Sequence, residues 1–368
     1  MRMLLTGQVG LDRQAYLNQV EAIAQSHGEP LKVFHVGDMM YREAPDVKPG
    51  RILDLPLSRL TSLRRAVFRD ILSDMPNHPN VIINSHATFR WKHGLFAAFD
   101  FDQLAQLQPD IYVTLLDNVE TVHQRLMRDH NVDHSLKDLM VWREEEILAT
   151  ELMARANSRH AASFFVLARG RHASTALTLF RLLMRPAMRK VYPSFPMSHV
   201  AKMPDVLAEI NAFRGKMADQ FITFDPGDVD EKILYDAAVL AAEEGRQILT
   251  VEAGGGNVQV RVPEVLSIGG DINGQIYARD FMMVRQSDMI VSYIPEMADG
   301  RPGLSSGVER ELQHAYDHAR DVYVIWRPKA EPSPFVTQTA TKLFATVDEA
   351  LAYFSQRGLC LPHSLFES

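Results

Sequence analysis

The sequence predicts an α/β protein of two three-layer domains, Rossmann-like in their alternation and built on mainly parallel sheets. Three observations carry this. Short apolar runs alternate with amphipathic stretches along nearly the whole chain. Runs such as "NVIINS" and "DIYVTLL" are apolar nearly throughout rather than at every second residue, the pattern of strands covered on both faces. A length of 368 residues exceeds one ordinary core and suits two.

Taken in order, "MRMLLTG" is a strand running into glycines, and "DRQAYLNQVEAIAQSHG" is a helix stopped by Gly28. "LKVFHV", "NVIINS" and "DIYVTLL" follow as strands, with the helix "SRLTSLRRAVFRDIL" between the first two, its Leu60, Leu63, Val67 and Ile71 on one face. A long helix, "SLKDLMVWREEEILATELMARANSRHAA", a strand "FFVLA" and a helix "ALTLFRLLM" close the first domain, residues 1–189. The second, residues 190–368, restarts the pattern with the strand in "RKVYPSFPMSHV", the helix "DVLAEINAFRGKMA", the strand "QFITFD", the helix "EKILYDAAVLAAEEG" and the strand "QILTV". The glycine-punctuated "EAGGGNVQVRVPEVLSIGGDINGQ" reads as a hairpin or mobile loop. After it come the helix "IYARDFMMVRQ", the strand "DMIVSYI", a helix opened by Gly307, the strand "VYVIW" and the helix "VDEALAYFSQRG".

Composition bounds the function. A formal charge of -7 gives no general attraction to nucleic acid or to an anionic membrane. One cysteine, Cys360, supports neither an internal disulfide nor a cysteine-based zinc site, and the histidines form no H-E-x-x-H pattern, so no metal is expected. With no secretory leader and no long apolar run, a cytoplasmic location is expected.

"GQVGLDRQ", Gly7 to Gln14, has the length and place of a Walker A loop, G-x-x-x-x-G-K-[ST] between a strand and a helix. Gly7 and Gly10 would let the backbone wrap a phosphate, and Arg13 could meet it in place of lysine. Asp12 and Gln14 stand where the motif has glycine and a magnesium-binding hydroxyl, so kinase turnover is not expected.

Together with "FHVGDMMYREA", "VIINSHATFRWKHGL", "LQPDIYVTLLDNVETVHQRLMRD" and the "REEEI" helix, this loop resembles the archaeal-type adenylate kinases over roughly the first half of the chain. The resemblance implies a P-loop NTPase-like fold that binds ATP or another nucleotide. Arg125 and Arg128 match lid arginines, with a solvated helix face as their other reading. Asn84 replaces an acidic residue on the magnesium side, which leaves magnesium open.

The second half resembles the nucleoside 2-deoxyribosyltransferases and their nucleotide N-glycosidase relatives, on "VYPSFP", "ARDFMMVRQSDMIVSYIPE" and "SSGVERELQHAYDHARDVYVIW". The resemblance implies a catalytic glutamate at Glu311, four residues after Gly307. A carboxylate beneath the anomeric carbon can stabilise the sugar cation or attack to form a glycosyl intermediate. Glu309 points to another helix face, and the Gly307 spacing with Ala315 selects Glu311. Asp288 matches an aspartate acting as acid toward the leaving base, Tyr192 a tyrosine that orients the glutamate, and Asp280 recurs in the pattern.

Nucleoside-specific members carry aspartate at the place of Ser305, and relatives acting on 5′-monophosphates carry serine. Ser305 therefore implies a phosphorylated substrate, with Ser194, Ser198 and Ser306 and the helix start at Gly307 around the phosphate. The family is oligomeric, so a homo-oligomer is expected, with Ser333 or Thr337 of a partner subunit completing the pocket. These features lead to N-glycosidic cleavage or transfer on a nucleoside 5′-monophosphate or related nucleotide, needing no cofactor, with the first domain regulatory. An NAD-cleaving enzyme, a non-catalytic nucleotide sensor and a working kinase are the rivals.

Overall fold

A computed structural model describes residues 1–92, 94–157, 162–170, 174–197, 200, 203–253 and 256–360. They form two compact units, Met1–Met184 with Val229–Gln275, and Arg185–Asp228 with Ile276–Ser368.

The first unit is built on a five-stranded parallel sheet in the spatial order Lys32–His35, Val81–Asn84, Arg2–Thr6, Ile111–Leu116, Ser163–Ala168. Its central strand is apolar because both faces are covered, with Met3 and Leu5 fully buried. The helix Arg13–Ser26 ends where Gly28 takes a left-handed φ of 67°. Leu60, Val67 and Ile71 form the buried stripe of the helix Leu57–Asp74. Ser135 caps the helix Leu136–Ala156 by accepting from the Asp138 amide.

The second unit carries another five-stranded parallel sheet, ordered Lys342–Phe344, Asp321–Trp326, Met289–Ile294, Lys190–Ser194, Ile222–Thr223. In chain order the direction of strand addition reverses between Lys190–Ser194 and Met289–Ile294. That reversal opens a crevice at the carboxyl ends of those two strands, the usual ligand position in open α/β sheets.

The division is discontinuous, unlike the expected break at 189/190. Residues 229–275 cluster with the first unit. The reason is a set of tertiary bonds: Glu231, fully buried, accepts from the Arg143 guanidinium and, at 3.1 Å, from the Val119 amide. Asn118 Oδ1 accepts from the Asp230 amide at 3.0 Å, and Gln275 donates to the Met140 carbonyl at 3.1 Å. "QILTV" accordingly adds nothing to the second sheet. It belongs to Ile248–Ala253, which pairs antiparallel with Gly256–Arg261 as a hairpin. The helix after it begins at Gly269 rather than Ile276. The hairpin Thr88–Trp91 with Gly94–Ala97, the short helices Val36–Glu43 and Phe101–Leu107, and the edge strand Lys342–Phe344 are further elements without a strong periodic signal.

Candidate functional site

In the second unit the strand Lys190–Ser194 presents Tyr192 and Ser194 on one face, because side chains two apart along a strand share a side. The helix Ser306–Asp317 buries Val308, Leu312 and Ala315 at helical spacing. Glu311 stands at the edge of that buried stripe and is half-buried, whereas Glu309 and Arg310 are exposed. Tyr192 Oη donates to Glu311 Oε1 at 3.0 Å, and Ser194 Oγ donates to Glu311 Oε2 at 2.6 Å. The carboxylate is thus held at the strand-order reversal.

Burial, then the charge of Asp280, pushes the Glu311 carboxyl up to about 8 against the opposing hydrogen bonds from Ser194 and Tyr192. Burial first, then Asp280 and Glu311, pushes the Tyr192 phenol well above its ordinary value, so it remains a donor. Asp280, on the helix Gly269–Gln286, acts on both groups through its charge.

Asp288 precedes the strand Met289–Ile294 and accepts from the Lys190 backbone amide at 2.8 Å, while its own amide donates to the Lys190 carbonyl. Ser292, the register partner of Ser194, lies four residues further on, about 13 Å along the strand at about 3.3 Å per residue. Asp288 joins the starts of two interior strands, at the end of the sheet away from Ser194 and its bond to Glu311, and is not placed to protonate a base there.

Ser305 is the helix N-cap, its Oγ accepting from the Val308 amide at 3.2 Å. Capping uses a lone pair and leaves the hydroxyl hydrogen to donate. Ser306 and Gly307 are exposed at the first turn. A Cβ at Gly307 would meet nothing nearer than Ser305 Oγ at 3.6 Å. Ser198 lies outside the described residues.

In the first unit, the loop after Arg2–Thr6 requires its glycines. Gly7 has φ +147° and a Cβ there would lie 2.7 Å from the Leu115 carbonyl oxygen; at Gly10, φ is +92° and Leu126 would be 3.0 Å away. Asp12 occupies the left-handed region at φ 48°, as aspartate tolerates, and accepts from Arg169 at 3.1 Å. The Arg13 guanidinium is already engaged. It donates to the Ser85 carbonyl and, at 2.7 Å, to His86 Nε2, and burial lowers it to about 10. Burial also holds His86 well below its ordinary value, and its Nδ1 donates to the Gly7 carbonyl at 2.7 Å. Arg125, expected at the phosphate, is buried against Asp117 at 2.9 Å, and Arg128 pairs with Asp129 at 2.6 Å on the surface. With the loop cations engaged in this way, the residues do not fit a magnesium-bound triphosphate.

Beside the loop is a cavity of about 360 Å³ with Phe89, Trp91 and Phe96 among its walls and Arg13, Arg64, Asn84 and His86 among its polar groups. Arg64 donates to the Ala97 carbonyl at 3.2 Å, while its Nε is buried with no hydrogen-bond partner among the described residues. Sequence reasoning passed over Arg64. Its signal is a charge between Leu60 and Val67 on an otherwise apolar helix stripe.

Residues 18–143 match a family model described as an AAA domain. No curated protein matches the chain. Among solved structures, phosphoglycerate kinase from Coxiella burnetii aligns over 97% of this chain and 95% of its own at 12% identity, with a TM-score of 0.19 that carries no argument. The match begins after the Gly7–Gln14 loop and lies within the first unit. Within that unit, residues 18–143 are similar to an AAA, P-loop NTPase-like domain.

Proposed function

We propose that the second unit cleaves the N-glycosidic bond of a nucleoside 5′-monophosphate or related nucleotide, and that the first unit binds a nucleotide in a regulatory role. The observation that carries this is the Glu311 carboxylate at the strand-order reversal, held by Tyr192 and Ser194 and facing the charge of Asp280. A carboxyl raised by burial and by a neighbouring charge can supply an acid, and in its ionised form a nucleophile, from one site.

Near neutral pH, Glu311 keeps a proton in the free site. As the C1′–N bond lengthens, positive charge on the sugar draws this carboxyl toward its ionised form. Its proton passes through Asp280 to the departing base nitrogen, Glu311 attacks C1′, and the C1′–N bond breaks. Water then hydrolyses the glycosyl ester and regenerates the carboxyl. No metal or organic cofactor enters these steps. Ser305, with a hydroxyl hydrogen to donate beside an exposed helix start, suits a 5′-phosphate where a carboxylate would repel it.

For the first unit, the aromatic walls and the buried guanidinium of Arg64 support a ligand carrying a planar base and an anion. The engaged Arg13 speaks against phosphoryl transfer.

The test is chromatography of free bases after incubation with ribo- and deoxyribonucleoside 5′-monophosphates, their nucleosides and NAD. Release from the monophosphates is expected. Nicotinamide release from NAD alone would transfer the reading to an NAD-cleaving enzyme, and silence across the panel alongside tight nucleotide binding would transfer it to a sensor.

A further inference from the structure

Ser194 is fully buried, and its hydroxyl is already committed. A serine carries one hydrogen, and here it points to Glu311 Oε2 at 2.6 Å. Behind it, Ser292 Oγ, from the register partner on the neighbouring strand, donates toward Ser194 Oγ at 3.4 Å. With Tyr192 on Oε1, both carboxylate oxygens are held from one strand, and the carboxylate plane is fixed.

Resting on the reading of Glu311 as nucleophile, we propose that Ser194, backed by Ser292, is a positioning residue for Glu311 and not a ligand of the substrate phosphate. To reach a phosphate it would have to leave both its buried position and the carboxylate. Its bond to Glu311 strengthens when the carboxylate ionises, because a charged acceptor makes the stronger hydrogen bond. Ser194 therefore favours the nucleophilic form against burial and against the charge of Asp280, while the Tyr192 phenol supports it from the other oxygen. Glu309 and Arg310, on the same helix as Glu311, are exposed and take no part.

The experiment is a carboxyl carbon-13 NMR titration of Glu311 in the full chain, its resonance identified by its loss in Glu311→Gln. Ser194→Ala is expected to raise the titration midpoint, lowering the ionisation constant by about threefold to tenfold. Ser194→Cys, which nearly preserves volume but donates weakly, should shift it the same way if the alanine variant folds poorly, and Ser194→Thr should restore it. Ser292→Ala should raise it by less. An unchanged midpoint in folded Ser194→Ala and Ser194→Cys would overturn the proposal. In base-release kinetics, the expected result for Ser194→Ala is a lower kcat with KM held. A rise in KM confined to 5′-monophosphates, with kcat held, would return Ser194 to the phosphate and overturn it. The titration needs no substrate, so a wild type that released no base would sink the glycosidase reading alone.

Discussion

At Glu311 two opposing influences meet: burial and Asp280 resist ionisation, and two hydroxyl donors favour it. The first pair wins, which has a consequence for stability. The folded-state value near 8 lies above the ordinary 4.5. Glu311 therefore contributes most stability at pH below its unfolded value and loses that contribution as pH rises through the folded value. Glu311→Gln, which cannot ionise, should be stabilising relative to wild type at about pH 9, by on the order of 2 kcal/mol, and nearly neutral at about pH 5. Thermal melts of the two proteins across this range check it; a constant difference would show that Glu311 does not titrate there. Glu311 was expected from the resemblance, its spacing to Gly307 and Ala315 setting it apart from Glu309, and the structure holds its carboxylate with Tyr192 and Ser194. The partner carboxylate was not legible in the sequence. Asp280 and Asp288 are both in the quoted segment, but only the fold decides that one faces Glu311 from a helix and the other ties down the far end of a strand.

At the scale of the element, three glycines separate structural need from ligand need. Gly7→Ala would place a Cβ 2.5 Å from Leu11 Cδ1 and 2.7 Å from the Leu115 carbonyl oxygen, in a backbone conformation that side chains rarely adopt. A loss of roughly 2–4 kcal/mol is expected in denaturant melts, with a smaller loss for Gly10→Ala. Gly307→Ala meets no such obstacle and should gain about 0.5–1 kcal/mol from helix propensity. If the first turn of that helix receives a phosphate, the same methyl should raise KM for a monophosphate by at least about threefold. A destabilised Gly307→Ala, or one with unchanged KM, would count against an anion at this turn. The strand-loop-helix step at Gly7 was readable because positive-φ glycines mark a tight turn. The engagement of Arg13 was not, since a cation after such a loop can be free for a phosphate or bonded within the protein, and His86 with the Ser85 carbonyl decides.

Across the whole molecule, the alternating pattern predicted both parallel sheets because strands covered on two faces are apolar throughout. It did not disclose that residues 229–275 return to the first unit. That return depends on Arg143 and Glu231, a buried ion pair between residues 88 apart, and no periodic signal spans that interval. Removing one partner leaves the other charge buried: Glu231→Gln or Arg143→Met should cost roughly 3–5 kcal/mol and speed amide exchange in 229–275, whereas Arg143→Met with Glu231→Leu should recover much of the loss. Exchange that stays slow in the single variants would mean that the apolar contacts of the segment hold it without the pair.

The central claim is that Glu311 cleaves an N-glycosidic bond. Its most direct test is the rate of free-base release from nucleoside 5′-monophosphates by wild type and by Glu311→Gln, with both shown to be folded. Release by wild type, reduced at least about a thousandfold in the variant, is the expected result; equal rates in the two proteins, or none in either, would contradict it.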